Sequence, residues 1–598
     1  MRRFLLPALA ALTAVCGVME SAAADAKPAA GIHWQEWSDE IFAQARAQHK
    51  MVLLDLGAGW CHWCHVMDEM TYADPAVIAL LREKYLAVRV DADARPDLAN
   101  RYEDYGWPAT IVFKWDGAEL AKRRGYIPPK PMASMLQAFI DDPTPGPSVE
   151  PETAVVAASE AALTAGQRTA AAQRFVAAYD AERGGWGDVH HYLNWHALEW
   201  CLAEGAAGDA AMAARARQTL TSGLKLLDPV WGGLYQYSTD GDWDHPHFEK
   251  IMPMQAENLR VFALAATLWQ EPQWLEPARK IHGWLRAFLT SPDGAFYTSQ
   301  DADVVPGEHS AGYFALDDAG RRQRGIPRID RHIYARENGL AITGLCALYA
   351  ADGDATSLAD ARRAAAWILA HRALPGGGFR HDESDAAGPY LADTLAMARA
   401  FLALYTVTAE RAWLTHAGAA ADFIGQKFRG PAGFESAVPA PSGGLPPRPQ
   451  VEENIALVRF ATLLHHHTGE ARTLALAEHA MRFLAAPAVV EGQGYGTGGL
   501  LLADRELTAE PAHLTVVGGK GDAAAQKLFA TALRGLSLAA RIEWLDPSEG
   551  PLPRADVPFP QLARPAAFLC AQGRCSAPLQ TPEQLAERLA ALWKKPAR

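Results

Sequence analysis

Cys61 and Cys64 stand three residues apart in the run Gly59-Trp60-Cys61-His62-Trp63-Cys64-His65. An apolar stretch, Met51 to Leu56, precedes the run and a helical pattern follows it, so Cys61 is expected at a helix N-terminus. Unpaired backbone N–H groups and the positive end of the helix dipole favour a thiolate there. Cys64, one turn on, is close enough for a reversible disulfide. A protonated His62 would stabilise the Cys61 thiolate and move the couple towards the oxidising side. The chemistry predicted is thiol–disulfide exchange. Other readings share the same residues. Cys61-His62-Trp63-Cys64-His65 also fits CxxCH, the haem-attachment pattern. The thiolates with His62 and His65 could ligate Zn²⁺ or Cu⁺, although consecutive helix positions do not all converge on one ion. A purely structural disulfide is the plainest alternative.

A second set of polar residues lies further on. His247, Glu249, Asp301 and Asp303 follow turns in which glycine precedes an aromatic, where their side chains are expected to point into a cleft. Two carboxylates and a histidine suit glycoside hydrolysis or sugar epimerisation, one group taking a proton while another donates. Helix capping and loop anchoring are the competing structural explanation for such aspartates. Glu452-Glu453-Asn454 opens a helix and reads as a cap, and His465-His466-His467 closes one, where histidines suit the dipole. Cys570 and Cys575, with Gly573 between them, predict a local disulfide; the sharper expectation is electron exchange with Cys61–Cys64. Cys201 and Cys346 sit alone in apolar helical patterns and read as buried inert thiols.

These residues need elements to hold them. At 598 residues the chain is too long for one ordinary domain. Hydrophobic residues at 49% and charged ones at 21% exclude a mainly disordered chain and a polytopic membrane protein. A net charge of −13 leaves no basic footprint for nucleic acid. Arg2-Arg3, the apolar run Phe4 to Val18 and Ala22-Ala23-Ala24 read as a signal peptide over 1–24. The expectation is a periplasmic or secreted protein with no stable membrane insertion. Residues 33–141 alternate strand and helix and predict an α/β domain. Pro143, Pro145 and Pro147 mark a linker over 142–151. From 152 to 504 long Ala/Leu-rich helices are interrupted by Gly–aromatic turns such as Gly184-Gly185-Trp186, Gly376-Gly377-Gly378-Phe379 and Gly433-Phe434. Repeated helical hairpins of this kind predict a closed (α/α)6 toroid. Residues 505–598 predict a small α/β appendage.

The first of these units resembles the thioredoxin fold. Asp55, six residues before Cys61, matches the buried aspartate that assists proton movement, Trp60 the tryptophan before the nucleophile, and Pro108 after Trp107 the cis-proline beside the disulfide. The resemblance implies that Cys61 attacks, Cys64 resolves and Pro108 shapes a partner groove. Over nearly the full length the chain resembles the spermatogenesis-associated protein 20 family, which joins a thioredoxin-like domain to a toroid related to N-acylglucosamine 2-epimerases and six-hairpin glycosidases. Cys61-His62-Trp63-Cys64-His65-Val66-Met67, Gly106-Trp107-Pro108, Pro246-His247-Phe248-Glu249-Lys250, Gly294-Ala295-Phe296-Tyr297 with Gln300-Asp301-Ala302-Asp303, and Cys570…Cys575 with Pro578 carry it. The chain departs at Val189-His190-His191-Tyr192 and in the shortened stretch after Asp303. The implied activity is a thiol–disulfide oxidoreductase acting on a protein thiol or disulfide partner. The alternative is a carbohydrate-active or glycan-binding protein working through the toroid. Neither a cofactor nor a metal is expected.

Overall fold

The computed structural model describes residues 31–149, 154–187, 189–385, 388–439, 445–494, 496–537, 539–555, 557–560, 562–571 and 574–593. The expected signal peptide over 1–24 lies outside them, as do Gly573 and part of the expected linker.

Strands β1 (Trp34–Gln35), β2 (Met51–Gly57), β3 (Tyr85–Asp91), β4 (Ala109–Phe113) and β5 (Glu119–Arg124) form one sheet in the order β1-β3-β2-β4-β5. The first three are parallel; β4 and β5 run antiparallel to their neighbours. Helices α1 (Ile41–Gln48), α2 (His62–Met70), α3 (Pro75–Lys84), α4 (Pro96–Arg101) and α5 (Pro129–Asp141) cover the two faces. Central β2 is buried on both sides, which is why it reads as an unbroken apolar run with one aspartate. Val52, Leu54 and Leu56 join a core with Trp37 and Phe113. Met51 and Leu53 point the other way, onto Met67, Val77 and Leu136. Asp74 separates α2 from α3: its carboxylate accepts from the backbone N–H groups of Ala76 and Val77, and Pro75 takes the first helical position. This is a thioredoxin-like fold.

The next region contains helices α6 (Ala165–Ala177), α7 (Trp195–Ala206), α8 (Ala210–Gly223), α9 (Met252–Trp269), α10 (Leu275–Phe288), α11 (Ala311–Phe314), α12 (Asp318–Arg324), α13 (Ala335–Asp352), α14 (Ala355–His371), α15 (Leu391–Thr408), α16 (Arg411–Lys427), α17 (Val451–Thr468), α18 (Ala471–Leu484), α19 (Pro487–Gly492) and α20 (Thr497–Thr508). Packing closes α7, α9, α13, α15, α17 and α20 into an inner ring, α20 returning to α7. The outer layer is α8, α10, α14, α16, α18 and α6, and α6 backs α20, the last inner helix. The outcome is an (α/α)6 toroid. Inner helices are buried almost all round, so they carry apolar residues without a polar stripe. Among the described residues α15 is the one helix long and apolar enough to cross a membrane, and 83% of it is buried within the toroid wall.

The Gly–aromatic turns have a physical role. After an outer helix the chain reverses through a left-handed glycine, φ +90° at Gly294 and +87° at Gly433, and drops Phe296 or Phe434 into the core. An amide side chain from the next inner helix then grips that aromatic's backbone. Asn338 pairs with both the N–H and carbonyl of Phe296 and Asn454 does the same at Phe434, while Gln255 grips Leu234, the residue before the aromatic Tyr235 in its turn.

Glycines also set how closely inner helices approach. A Cβ at Gly339 on α13 would lie 2.5 Å from the Ala396 carbonyl carbon on α15. Gly339→Ala should therefore force the two helices apart at a cost of about 1–3 kcal/mol, read as a lowered melting temperature.

Strands β6 (Tyr237–Ser238) and β7 (Pro246–His247) pair with each other. β8 (Lys250–Ile251), β9 (Ser299–Gln300) and β10 (Ile329–Asp330) form a three-stranded sheet on the rim facing the thioredoxin-like domain. On the opposite rim β11 (His513–Val517), α21 (Ala523–Gly535), β12 (Arg541–Leu545), β13 (Ala566–Ala571), β14 (Arg574–Cys575) and α22 (Pro582–Trp593) build the appendage, with strand order β12-β11-β13-β14.

Candidate functional site

Cys61 is the N-cap of α2, as its position between an apolar strand and a helix requires. Its Sγ accepts from the Cys64 backbone N–H at 3.2 Å, and the two cysteines are disulfide-bonded. Trp107–Pro108 is a cis peptide and Pro108 is buried. Asp55 lies on β2 two residues before Gly57, against which Cys64 Sγ packs. Its carboxylate accepts from the Tyr72 hydroxyl at 3.0 Å and from Arg89 Nε at 2.8 Å.

The toroid meets this motif through the sheet β8-β9-β10. Side chains alternate along a strand. Lys250 therefore points inward, its Nζ 2.7 Å from Asp228 and from the Gly232 carbonyl, while Glu249 and Ile251 face the thioredoxin-like domain. Asp301, one residue beyond β9, faces the same way, and Asp303 follows. Asp303 accepts from the ring Nδ1 of His62 at 2.9 Å and lies 3.3 Å from that of His65. Asp301 is 3.8 Å from His65 Nε2, and Glu249 accepts from the His62 backbone N–H at 3.4 Å. The hydrogen bond to Asp303 raises the His62 pKa above its ordinary value. Burial lowers that of His65, but Asp303 and Asp301 outweigh it and the net shift is upward. Burial opposes ionisation of Asp303, yet the two histidines hold it at about 2. Asp301, pushed up by burial with weaker compensation, reaches about 6.

This arrangement corrects an expectation. Glu249, Asp301 and Asp303 do not line the central cavity of the toroid; they clamp the two histidines of the cysteine motif. His247 stands apart, its ring stacked on Tyr237 at 4.5 Å and its Nδ1 3.8 Å from Glu249. Two candidate sites proposed separately thus meet at one domain interface, over 180 residues of sequence. Among the described residues, His65, Asp301 and Asp303 form the one His/Cys/Asp/Glu group of three or more whose ligand atoms gather within 4.8 Å.

The clamp covers the motif. Cys61 is only 5% exposed and packs with Trp60, Trp107 and Ile251, whereas Trp63, between the cysteines, is 42% exposed. Further contacts complete the seal. Trp60 Nε1 donates to Asp93 at 2.7 Å, His381 Nε2 lies 2.7 Å from the Asp93 carbonyl, and Asn100 donates to Glu453 at 2.9 Å.

Sequence reasoning missed most of this rim, although a signal was present. Glu337-Asn338, Asp393-Thr394 and Glu453-Asn454 repeat an acidic–polar dipeptide near the start of three inner helices. The second member grips the preceding turn; the first is buried near the thioredoxin-like domain, Asp393 holding His381 Nδ1 at 2.9 Å.

Behind the clamp lies a cavity of about 490 Å³, with Trp60 and Trp107 on one side and Trp195, Tyr237, Arg336 and Arg399 on the other. A second, of about 440 Å³, opens at the opposite rim and shares His196, Glu257 and Arg399 with the first. Between them runs an ionic septum in which Arg260 bridges Glu257 and Glu199 at 2.6 and 2.9 Å, and Arg459 binds Glu199 at 2.7 Å.

Cys570 and Cys575 form a disulfide between β13 and β14. Their expected exchange with Cys61–Cys64 is not supported by the geometry. α9 begins beside Ile251, which packs on Cys61, and ends at Gln270, which donates to the Arg534 carbonyl of the appendage. Its 18 residues separate the rims by about 27 Å. Cys570→Ser and Cys575→Ser should leave the oxidised fraction of Cys61–Cys64 in a glutathione buffer unchanged within about twofold, as read by alkylation trapping.

Sequence comparison agrees with the assignment of the N-terminal domain. A family model described as Thioredox_DsbH, a protein of unknown function (DUF255), matches residues 20–141. The thiol:disulfide interchange protein DsbD 2 of Pseudomonas aeruginosa is 38% identical over 89 residues, 14% of this chain and 15% of that protein. A solved D-mannose isomerase superposes over 58% of this chain and 98% of its own, with a TM-score of 0.43 and 11% identity. Spermatogenesis-associated protein 20 of Mus musculus is 28% identical over 314 residues, and the match spans 46% of this chain but only 39% of the mouse protein. The chain is therefore similar in sequence to the spermatogenesis-associated protein 20 family and, over its N-terminal domain, to the DsbH- and DsbD-type thioredoxin-like proteins.

Proposed function

We propose that this protein is an exported thiol–disulfide oxidoreductase whose reaction is carried by Cys61 and Cys64. The observation that supports it is the cysteine pair at a helix N-terminus, with Cys61 as N-cap, the two sulfurs bonded, and Trp107 packed against them. The Cys61 thiolate attacks a partner disulfide and Cys64 resolves the mixed disulfide. The signal-like sequence over 1–24 supports export to the periplasm, where such a couple can be maintained. Equilibration with glutathione tests the reading: a reversible couple between about −120 and −270 mV supports it, and one below about −300 mV makes the pair structural.

The cavity favours a second reading, a carbohydrate-active site. Burial pushes Glu453 up to about 8, whereas Glu257, in spite of burial, is held at about 2 by Arg260 and Arg399. A protonated and an ionised carboxyl group in one cavity are the parts of a general acid–base pair. Turnover of a reducing sugar that disappears in Glu453→Gln and survives Cys61→Ser would establish it.

A further inference from the structure

We propose that the molecule exchanging with Cys61–Cys64 is a low-molecular-weight zwitterionic disulfide, that of an amino acid or short peptide, held in the toroid cavity behind the pair. This rests on the redox reading above and names its substrate class. The face by which a folded protein would reach Cys61 is taken: Ile251, Glu249 and Asp303 sit on the motif, and Pro108 is buried. Even a transient redox complex buries up to about 600 Å² on each partner, and the residues immediately around Cys61 are already covered by the toroid. The cavity offers another approach. Trp60, Trp107 and Ile251 pack on Cys61 and also line the 490 Å³ space, so the wall between ligand and sulfur is one side chain thick. That volume falls within the roughly 300–1,000 Å³ of small-molecule sites.

The lining suits a zwitterion. Arg336, 3.6 Å from Glu337, and Arg399, 3.4 Å from Glu257, each have five guanidinium N–H donors, more than one protein carboxylate uses, to offer a ligand carboxylate, and Glu452, half exposed, supplies a carboxylate for an ammonium group. Trp195 and Tyr237 provide flat apolar walls. A swing of Trp107 or Ile251 admits the ligand to the sulfur. The reduced pair's Cys61 thiolate attacks one sulfur of RS–SR, the RS–SR bond breaks, and RS⁻ leaves and takes a proton from solvent. The Cys64 thiolate then attacks Cys61 Sγ, the Cys61–Cys64 bond forms, and the second RS⁻ departs. Two electrons pass from the dithiol to the small disulfide; two RSH molecules run the reaction backwards.

The test uses the reduced full-length chain with cystine, 2-hydroxyethyl disulfide or insulin as oxidant, each rate normalised to that disulfide's rate with free dithiothreitol. Alkylation trapping reads formation of the Cys61–Cys64 bond. Cystine should be at least about tenfold faster than the uncharged disulfide, equivalent to one good ion pair, with insulin the slowest. In Arg336→Met that ratio should fall to about threefold or less. Glu452→Gln, at an exposed position where folding is not in question, should lower it as well. Insulin reacting fastest, or cystine no faster than 2-hydroxyethyl disulfide, overturns the proposal while leaving the pair redox-active. Failure of all three oxidants sinks the redox reading itself.

Discussion

Asp303→Ala should raise the rate at which a bulky maleimide alkylates Cys61 in the native, reduced chain by about ten- to a hundredfold. The sulfur is covered because the toroid is docked, and Asp303 makes the two closest charged contacts across that interface, to His62 and His65. Breaking a buried charge pair costs about 3–5 kcal/mol. The remaining contacts at Glu249, His381 and Asn100 keep part of the closed state, so a loss of about 1.4–3 kcal/mol in docking is expected, tenfold per 1.4. The clamp also has a pH window. His62 and His65 have raised pKa values when docked, so their contribution is complete below about 6.5 and is lost as pH rises through the raised values. Asp303, held at about 2, contributes above the ordinary carboxylate value near 3.8 and loses that contribution as pH falls through 2. Asp301, at about 6, acts in the opposite sense, favouring docking below about 3.8 and ceasing to by pH 6. Protection of Cys61, corrected for its thiolate fraction, should therefore be greatest at about pH 4–6, and Asp303→Ala should flatten the profile. Asp303→Asn, which keeps a hydrogen-bond acceptor without the charge, should fall between. Unchanged alkylation in Asp303→Ala would mean that the toroid does not guard the cysteine.

Cys61→Ser should reduce disulfide exchange by at least about a thousandfold, because a hydroxyl replaces the attacking thiolate. Cys64→Ser should instead retain the first attack and accumulate a mixed disulfide on Cys61, seen as a mass increment that a dithiol removes. The two cysteines differ in exposure in a way the motif did not suggest: Cys61 is the buried one and Cys64 is partly exposed. The mixed disulfide should consequently build up faster when Cys64→Ser is combined with Asp303→Ala, since each attack then starts from an open interface. A mixed disulfide trapped on Cys64 in the Cys61→Ser chain would exchange the two roles.

The organisation of this chain was legible wherever local periodicity controls structure. The two-sided burial of β2 appears as an apolar run, the Asp74-Pro75 break as a helix stop and start, and the outer-helix turns as glycine followed by an aromatic. The cysteine pair was equally legible, since capping depends on only a few neighbouring residues. Asp55 was found as a residue, but its engagement with Arg89 and Tyr72 depends on two other elements and left no local trace.

Glu249, Asp301 and Asp303 show where sequence reasoning stops. Their positions after Gly–aromatic turns marked them as rim residues, and the sequence by itself determined that much, together with the placement of Cys61 and Cys64 at the start of a helix and the succession of an α/β domain, a helical ring and a small α/β piece. Which way the rim faces depends on strand alternation in a three-stranded sheet whose members are up to 80 residues apart, and on docking of a separate domain against it. Only the tertiary structure therefore decided that these carboxylates bind His62 and His65, that Cys61 lies beneath the toroid, and that the cavity behind it is walled by both domains. Short-range preferences write themselves into neighbouring residues; an interface between domains is a property of surfaces, and its partners carry no mark of one another along the chain.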